Sequence, residues 1–211
     1  AHEMDGYTIQ ELLGSGGFAS VYKAIENDTN DSVALKVSVD RDRQYVDMLQ
    51  RETELMSELR DTPHVVKLLT YFVAEDAERY VHVAVMPVLD MSLDALISSD
   101  DVASKDEIKR LARHVSTGLA HCNDHDIVHS DLKPDNILVK IDEEGNNTYL
   151  LSDFGSAFRI NGEYEVSTYG HCGLYACPEI LLEDFDLVEN SCVCDSWSLG
   201  CVLYEFATKK L

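Results

Sequence analysis

Up to about residue 88 the apolar positions alternate with polar ones over short runs. Tyr7 to Leu13 leads into a glycine-rich turn, Phe18 to Ala24 leads out of it, and Ser32 to Val39 follows the turn-forming run Asn27-Asp28-Thr29-Asn30-Asp31. This pattern predicts a three-stranded meander. From Arg43 to Arg60 the period changes: Val46, Leu49, Met56 and Leu59 recur at helical spacing, and Asp61-Thr62-Pro63 stops the run. Two further strand-like runs, Val65 to Phe72 and Tyr80 to Met86, flank the acidic turn Glu75-Asp76-Ala77-Glu78 and complete a five-stranded antiparallel sheet. Beyond Pro87 the pattern is helical. Ser104-Lys105-Asp106-Glu107 has the form of a capping box and opens a helix with Ile108, Leu111, Ala112, Val115 and Leu119 on one face. A hairpin is expected from Ile137 to Ile141 and Thr148 to Leu151, and a last apolar helix from Ser196 to Ala207. The chain therefore divides into a β-rich lobe over residues 1–88, carrying one helix, and a mainly α-helical lobe over residues 89–211, an α+β organisation.

Length and charge narrow this picture. A chain of 211 residues buries a core without staples, and 45% hydrophobic with 27% charged residues is the composition of a folded chain. The net charge of −22 argues against a nucleic-acid or anionic-membrane surface, since phosphate contacts need clustered Lys and Arg, and it favours a basic partner. No apolar run has the length of a membrane span, and no signal-peptide pattern opens the chain. The six cysteines include no CxxC pair and read as reduced, intracellular thiols, so the protein is expected in the cytoplasm or nucleus. His171, Cys172, Cys177, Cys192 and Cys194 match no closed tetrahedral zinc spacing.

The chemistry lies in an ordered set of motifs. Gly14-Ser15-Gly16-Gly17-Phe18-Ala19-Ser20-Val21 sits between two strands, where a backbone poor in side chains can approach phosphates and donate N–H groups to them. Val33-Ala34-Leu35-Lys36 places a lysine within an apolar strand, and Glu52 on the following helix is positioned to pair with it. His129-Ser130-Asp131-Leu132-Lys133-Pro134-Asp135-Asn136 follows, and Asp153-Phe154-Gly155 comes after it. In order and spacing this set resembles the eukaryotic-type protein kinase superfamily over residues 7 to about 208.

That resemblance implies a two-lobed kinase fold, with ATP and Mg2+ used to phosphorylate Ser or Thr of a protein. Lys36, oriented by Glu52, would hold phosphates beneath the loop formed by Gly14, Ser15, Gly16, Gly17, Phe18 and Ala19. Asp131 would take the proton of the attacking hydroxyl, Lys133 would neutralise charge on the transferring group, and Asn136 and Asp153 would hold the metal. Leu13, Val21, Ala34 and Leu138 would sandwich the adenine, Met86 would stand at the rear, and the backbone at Pro87 and Leu89 would bond its edge. Asp195, in a segment similar to the family's helix behind the catalytic loop, would fix the backbone near His129. Tyr175-Ala176-Cys177-Pro178-Glu179 is similar to the family's A-P-E element.

Some positions depart from the family. Ser130 replaces an Arg that in many members grips an activation-loop phosphate, Ala19 replaces a glycine, and Cys172 falls where Ser/Thr-directed members carry Thr. Ser167, Thr168 and Tyr169 are candidate phosphorylation sites. Glu179 would ordinarily pair with an Arg on a later helix, so the last helices of the large lobe are expected to be missing, and three readings stay open: a fragment, a partner covering the apolar Ser196–Ala207 helix, or a reduced kinase of marginal stability. Seven acidic residues between Ala176 and Thr208 (Glu179, Glu183, Asp184, Asp186, Glu189, Asp195 and Glu205), with no Lys or Arg among them, favour a basic substrate. Two alternatives stand beside this reading: a pseudokinase acting as an ATP-binding interaction module, and a small-molecule kinase.

Overall fold

In the computed structural model, which describes residues 2–16, 19–40, 43–76, 79–99, 101–160, 173–182 and 193–210, the chain divides into two units. One comprises Ala1–Arg60 and Val66–Val88, the other Asp61–Val65 and Leu89–Leu211.

The first unit is built on a strand that is covered on both faces. In β4 (Ser32–Asp40) Val33, Leu35 and Val37 are buried, and so is Ala34 on the opposite side of the pleat. The sheet around it contains β1 (His2–Met4), β2 (Tyr7–Ser15), β3 (Ser20–Glu26), β5 (Thr70–Asp76) and β6 (Arg79–Pro87), in the order β1-β2-β3-β4-β6-β5 and antiparallel throughout. One face joins Tyr7, Ala24, Val33, Leu35, Val37, Val81, Val83 and Val85 into a core, closed by Tyr7 stacked on Phe72. The helix α1 (Arg43–Glu58) packs on β4 and β6, burying Leu49, Glu52, Thr53 and Met56 at the helical period.

The five expected strands form, joined by the additional β1. The last pair is displaced from expectation. β5 starts at Thr70 rather than Val65, because Val65, Val66 and Leu68 owe their apolar character to burial outside a strand. Val65 instead bridges Leu151, and Leu151 N donates to the carbonyl of His64, which ties Asp61–Val65 to the second unit.

In the second unit α2 (Leu93–Ile97) follows β7 (Met91–Ser92), and α3 (Lys105–Asp124) is capped by Ser104, whose hydroxyl accepts from Glu107 N at 3.1 Å. The expected capping box forms only in this half. The Glu107 carboxylate turns inward, accepting from the Tyr149 hydroxyl at 2.6 Å and from Asn147 Nδ2 at 3.0 Å. After β8 (Ile127–Val128) and a 3-10 turn at Pro134–Asn136, β9 (Ile137–Ile141) and β10 (Asn147–Leu151) form the expected hairpin. β11 (Phe158–Arg159) pairs with β8, α4 (Pro178–Leu181) is a single turn, and α5 (Val193–Thr208) is the final helix. α3 packs on β10 and α5, around the wholly buried Leu111, Val115, Tyr149, Leu151 and Val202. Among the described residues no helix is long and apolar enough to cross a membrane.

Candidate active site

The sheet register places the first group of site residues. Val21 lies opposite Lys36, Ala34 opposite Met86, and Gly14 opposite Val21, so Gly14, Val21, Ala34, Lys36 and Met86 share one face. It is the face opposite the valine core, because side chains alternate along each strand. Lys36 Nζ donates to both oxygens of Glu52, at 2.6 and 2.7 Å, with the two side chains only 13% and 4% exposed. Burial strengthens this attraction and keeps the ammonium at one point.

At the β2–β3 turn Gly16 N donates to Ala19 O at 2.9 Å, and the hydroxyls of Ser15 and Ser20 meet at 3.0 Å. Among the described residues a Cβ at Gly14 would meet nothing within 4 Å, and one at Gly16 would make only an ordinary contact with Ala19 O at 3.8 Å. Local packing among the described residues therefore does not by itself require glycine at these two positions. Gly17 and Phe18 lie outside the described residues. Leu13 is half exposed at the end of β2, and Pro87 ends β6 opposite Val33. Leu89 and Leu138 belong to the second unit, Leu138 pairing with Ser92.

The second group is assembled around His129, which is fully buried. Its backbone N–H and that of Ser130 donate to the two carboxylate oxygens of Asp195, each at 2.8 Å. Asp195 stands in the first turn of α5 and holds the loop as the sequence implied. Ser130 has φ of +71°, a conformation that a non-glycine residue keeps only when its surroundings hold it there. His129 Nδ1 accepts from Asp131 N at 3.4 Å, which assigns the proton to Nε2, and Nε2 reaches Ser152 O at 2.9 Å. The Phe154 ring meets the imidazole edge-on at 4.9 Å.

This scaffold presents Asp131, which is 9% exposed. Its Oδ2 accepts from Lys133 Nζ at 2.7 Å and from Asn136 Nδ2 at 2.9 Å, whereas Oδ1 is buried with no hydrogen-bond partner among the described residues. The second amide hydrogen of Asn136 goes to Asp131 O at 2.8 Å, so the Asn136 side-chain oxygen remains as the acceptor. Ser152 N and Oγ both donate to the Asn136 carbonyl, at 2.9 and 3.0 Å, which fixes the backbone next to Asp153. Asp153 itself is exposed at φ of +61°, its Oδ1 accepting from Gly155 N at 3.4 Å. The Asn136 amide oxygen and the Asp153 carboxylate are, by type, the hard oxygen donors that Mg2+ takes.

Two features were not anticipated. Cys177 and Cys194 are joined by a disulfide, correcting the expectation of reduced thiols for this pair, while Cys122 and Cys201 are free. Spacing alone could not reveal it, since 17 residues separate the two. The sulfurs and a Glu179 oxygen lie within 4.8 Å of one another, but the bond between the sulfurs takes both out of a metal's reach. Secondly, two of the seven clustered acids are internal: Asp195 holds the loop, and Glu205 accepts from the Tyr175 hydroxyl at 2.5 Å. Glu183, Asp184, Asp186 and Glu189 lie outside the described residues, as do Ser167, Thr168, Tyr169, His171, Cys172 and Cys192.

Comparison with known proteins agrees with these motifs. The chain is 32% identical over 206 residues to a serine/threonine-protein kinase of Drosophila erecta, covering 94% of this chain and 26% of that one. It is 32% identical over 220 residues to the serine/threonine-protein kinase prpf4B of Dictyostelium discoideum, covering 98% of this chain and 25% of the relative. To the serine/threonine-protein kinase fused of Drosophila melanogaster it is 30% identical over 205 residues, 96% of this chain and 24% of the relative. The chain thus spans about a quarter of the length of these curated relatives. The family description "protein kinase domain" matches residues 7–211, and the chain belongs to the protein kinase family.

Proposed function

We propose that this chain is a serine/threonine protein kinase domain that transfers the γ-phosphoryl group of ATP to a protein hydroxyl. The observation that carries the reading is the divided Asp131 carboxylate: Oδ2 is held by Lys133 and Asn136, and Oδ1 is buried without a partner among the described residues. An oxygen in that state is ready to accept the proton of an incoming hydroxyl. Lys133, already bonded to Asp131, would neutralise charge on the group in transfer, and Lys36, fixed by Glu52, would pair with the phosphates. Asn136 and Asp153 would hold Mg2+, which when bound neutralises phosphate charge. Leu13, Val21, Ala34, Met86 and Leu138 would line the adenine site, with backbone contacts at Pro87 and Leu89.

The acceptor is proposed to be a protein with basic residues near the phosphorylated hydroxyl. Support comes from the net charge of −22 and from Glu179, whose carboxylate has no hydrogen bond among the described residues, unlike those of Asp195 and Glu205. Use of ATP places the activity inside the cell, in cytoplasm or nucleus. The test is transfer of label from ATP with Mg2+ to a basic protein by the chain and its Asp131→Asn and Asp153→Asn variants. Transfer lost in both variants is the expected result. ATP binding without transfer in the unaltered chain would replace this reading with that of an ATP-binding interaction module, and label passing only to small alcohols would replace it with a small-molecule kinase.

A further inference from the structure

We infer that Cys177 and Cys194 form a reversible thiol–disulfide site whose state sets the rigidity of the Asp131 loop and of the segment beside it, an inference that rests on the kinase reading only for its activity readout. The two Cα atoms stand 5.1 Å apart, within the range a disulfide spans without moving the backbone. The bond joins two pieces of chain that both touch the site. Cys177 is the N-cap of α4 and follows Tyr175 and Ala176, while Cys194 immediately precedes Asp195, the residue that holds His129 N and Ser130 N. Cys194, Tyr175 and Ala176 line one small pocket together with Ser130 and Asp131. Both cysteines belong to one buried apolar cluster with Val128, the residue before His129, and Phe158.

Hydrogen bonds also tie this segment to α5. Ser198 Oγ donates to Tyr175 O at 2.8 Å, and the Tyr175 hydroxyl donates to Glu205. The disulfide adds the covalent link between these two pieces of chain, so breaking it loosens one wall of the pocket and the residue next to Asp195 together. Lys36 and Glu52 belong to the other unit and are not part of this linkage.

The chemistry balances with a small-molecule disulfide, such as oxidised glutathione, as oxidant. One cysteine thiolate attacks the small disulfide, releasing one small thiol and leaving a mixed disulfide. The second thiolate then attacks the protein-bound sulfur and releases the other small thiol. Two protein thiols have lost two electrons and two protons, and the small disulfide has gained both. Reduction by two thiols, or by one dithiol, runs the same steps in reverse. Both cysteines are nearly inaccessible, at 1% and 2% exposure, so exchange proceeds through the pocket on the Cys194 side and through local opening.

The experiment uses the unaltered chain equilibrated in buffers of graded reduced-to-oxidised glutathione, then quenched with an alkylating agent in denaturant and digested. The expected result is a linked peptide pair containing Cys177 and Cys194 that rises and falls with the glutathione ratio, with Cys122 and Cys201 alkylated throughout. Hydrogen exchange on the same samples should be faster in the reduced form at residues 129–131 and 173–177 by about tenfold, within what a closed loop of this size can supply. Reduction should also raise KM for the protein acceptor while leaving KM for ATP in place. A pair that never links, or that stays linked in native protein under excess dithiothreitol, overturns the reversible site. Equal exchange in the two forms overturns the coupling. Absence of phosphoryl transfer in both forms would count against the kinase reading alone, because the peptide and exchange measurements do not depend on it.

Discussion

Replacing Asp195 with Asn changes one atom's chemistry at a point where two backbone donors converge. Asp195 is 4% exposed, and its two oxygens accept from His129 N and Ser130 N, each at 2.8 Å. Asparagine offers one oxygen and one NH2, so one bond survives and the other becomes a buried donor facing a donor. Losing a hydrogen bond to a charged acceptor costs about 1.5–3 kcal/mol, and the stranded N–H adds about 1–3 kcal/mol. Removing a buried charge gives back part of its desolvation, which leaves a net loss of about 2–4 kcal/mol. Ser130 adds to the consequence, because its φ of +71° depends on the bond its own N–H makes. Urea unfolding followed by a probe in the second unit should show the midpoint falling by about 1–2 M, for a slope of about 2 kcal/mol per M. Amide exchange at His129 and Ser130 should accelerate in the same variant. A loss below about 0.5 kcal/mol, the range of an ordinary surface change, with both amides still protected would refute the claim that Asp195 holds this loop.

Three other perturbations test separate parts of the structure. Glu52→Gln leaves Lys36 buried beside a neutral partner and should cost about 3–5 kcal/mol, whereas Lys36→Met with Glu52→Leu should recover most of the stability without recovering transfer; a double-mutant cycle measures both. Gly118→Ala places a Cβ 2.9 Å from His64 O and 2.9 Å from Leu151 Cδ1, so thermal or urea unfolding should register an overpacking loss of about 1–3 kcal/mol, and a neutral result would mean that α3 moves freely away from His64. The third concerns pH. Tyr149 N donates to His114 Nδ1, and burial, aided by the neighbouring His64, Arg113 and Arg110, pulls this imidazole from 6.5 down to about 4 against the opposing pull of Glu107. Unfolded chains take up the proton near 6.5 while the folded form refuses it until about 4, so stability should decline as pH falls through that window and level off below it. Unfolding midpoints measured from pH 7 to 4 should show a shallower decline in His114→Gln, and parallel curves would remove His114 as the cause.

The parts of the fold legible in sequence were those written locally. Ser104 sits three residues before Glu107, and α3 begins there. The apolar period of residues 43–60 became α1, and the motif residues Lys36, Glu52, Asp131, Asn136 and Asp153 are individually recognisable because phosphoryl-transfer chemistry restricts their types. What could not be read depends on contacts distant along the chain. Glu107 looks like half of a capping box, yet its carboxylate serves Tyr149, 42 residues away. His64 stacks on His114 at 4.0 Å and bonds the carbonyl of Tyr149, 85 residues on. Val65 to Leu69 has the composition of a strand and is instead a connection that buries Val65, Val66 and Leu68, since burial and pairing select the same residue types. Cys177 and Cys194 illustrate the same limit: a cysteine buried as a small apolar group and one buried as half a disulfide look alike until the partner is placed.

The pairing of β3, β4 and β6 also acts as a proofreading device. Leu35 is fully buried in the valine core, and Lys36, the next residue, points to the opposite face to meet Glu52. A slip of one residue in β4 would drive the ammonium into the valine core and turn Leu35 towards the face that carries Glu52, so the misaligned sheet is rejected by its own solvation cost. Chain-length changes in the β3–β4 turn at residues 27–31 leave that alternation intact, whereas a single deletion between Ser32 and Lys36 inverts it. Correct burial and correct chemistry are thus one alignment, and natural variation in length between β3 and β4 should be confined to the turn.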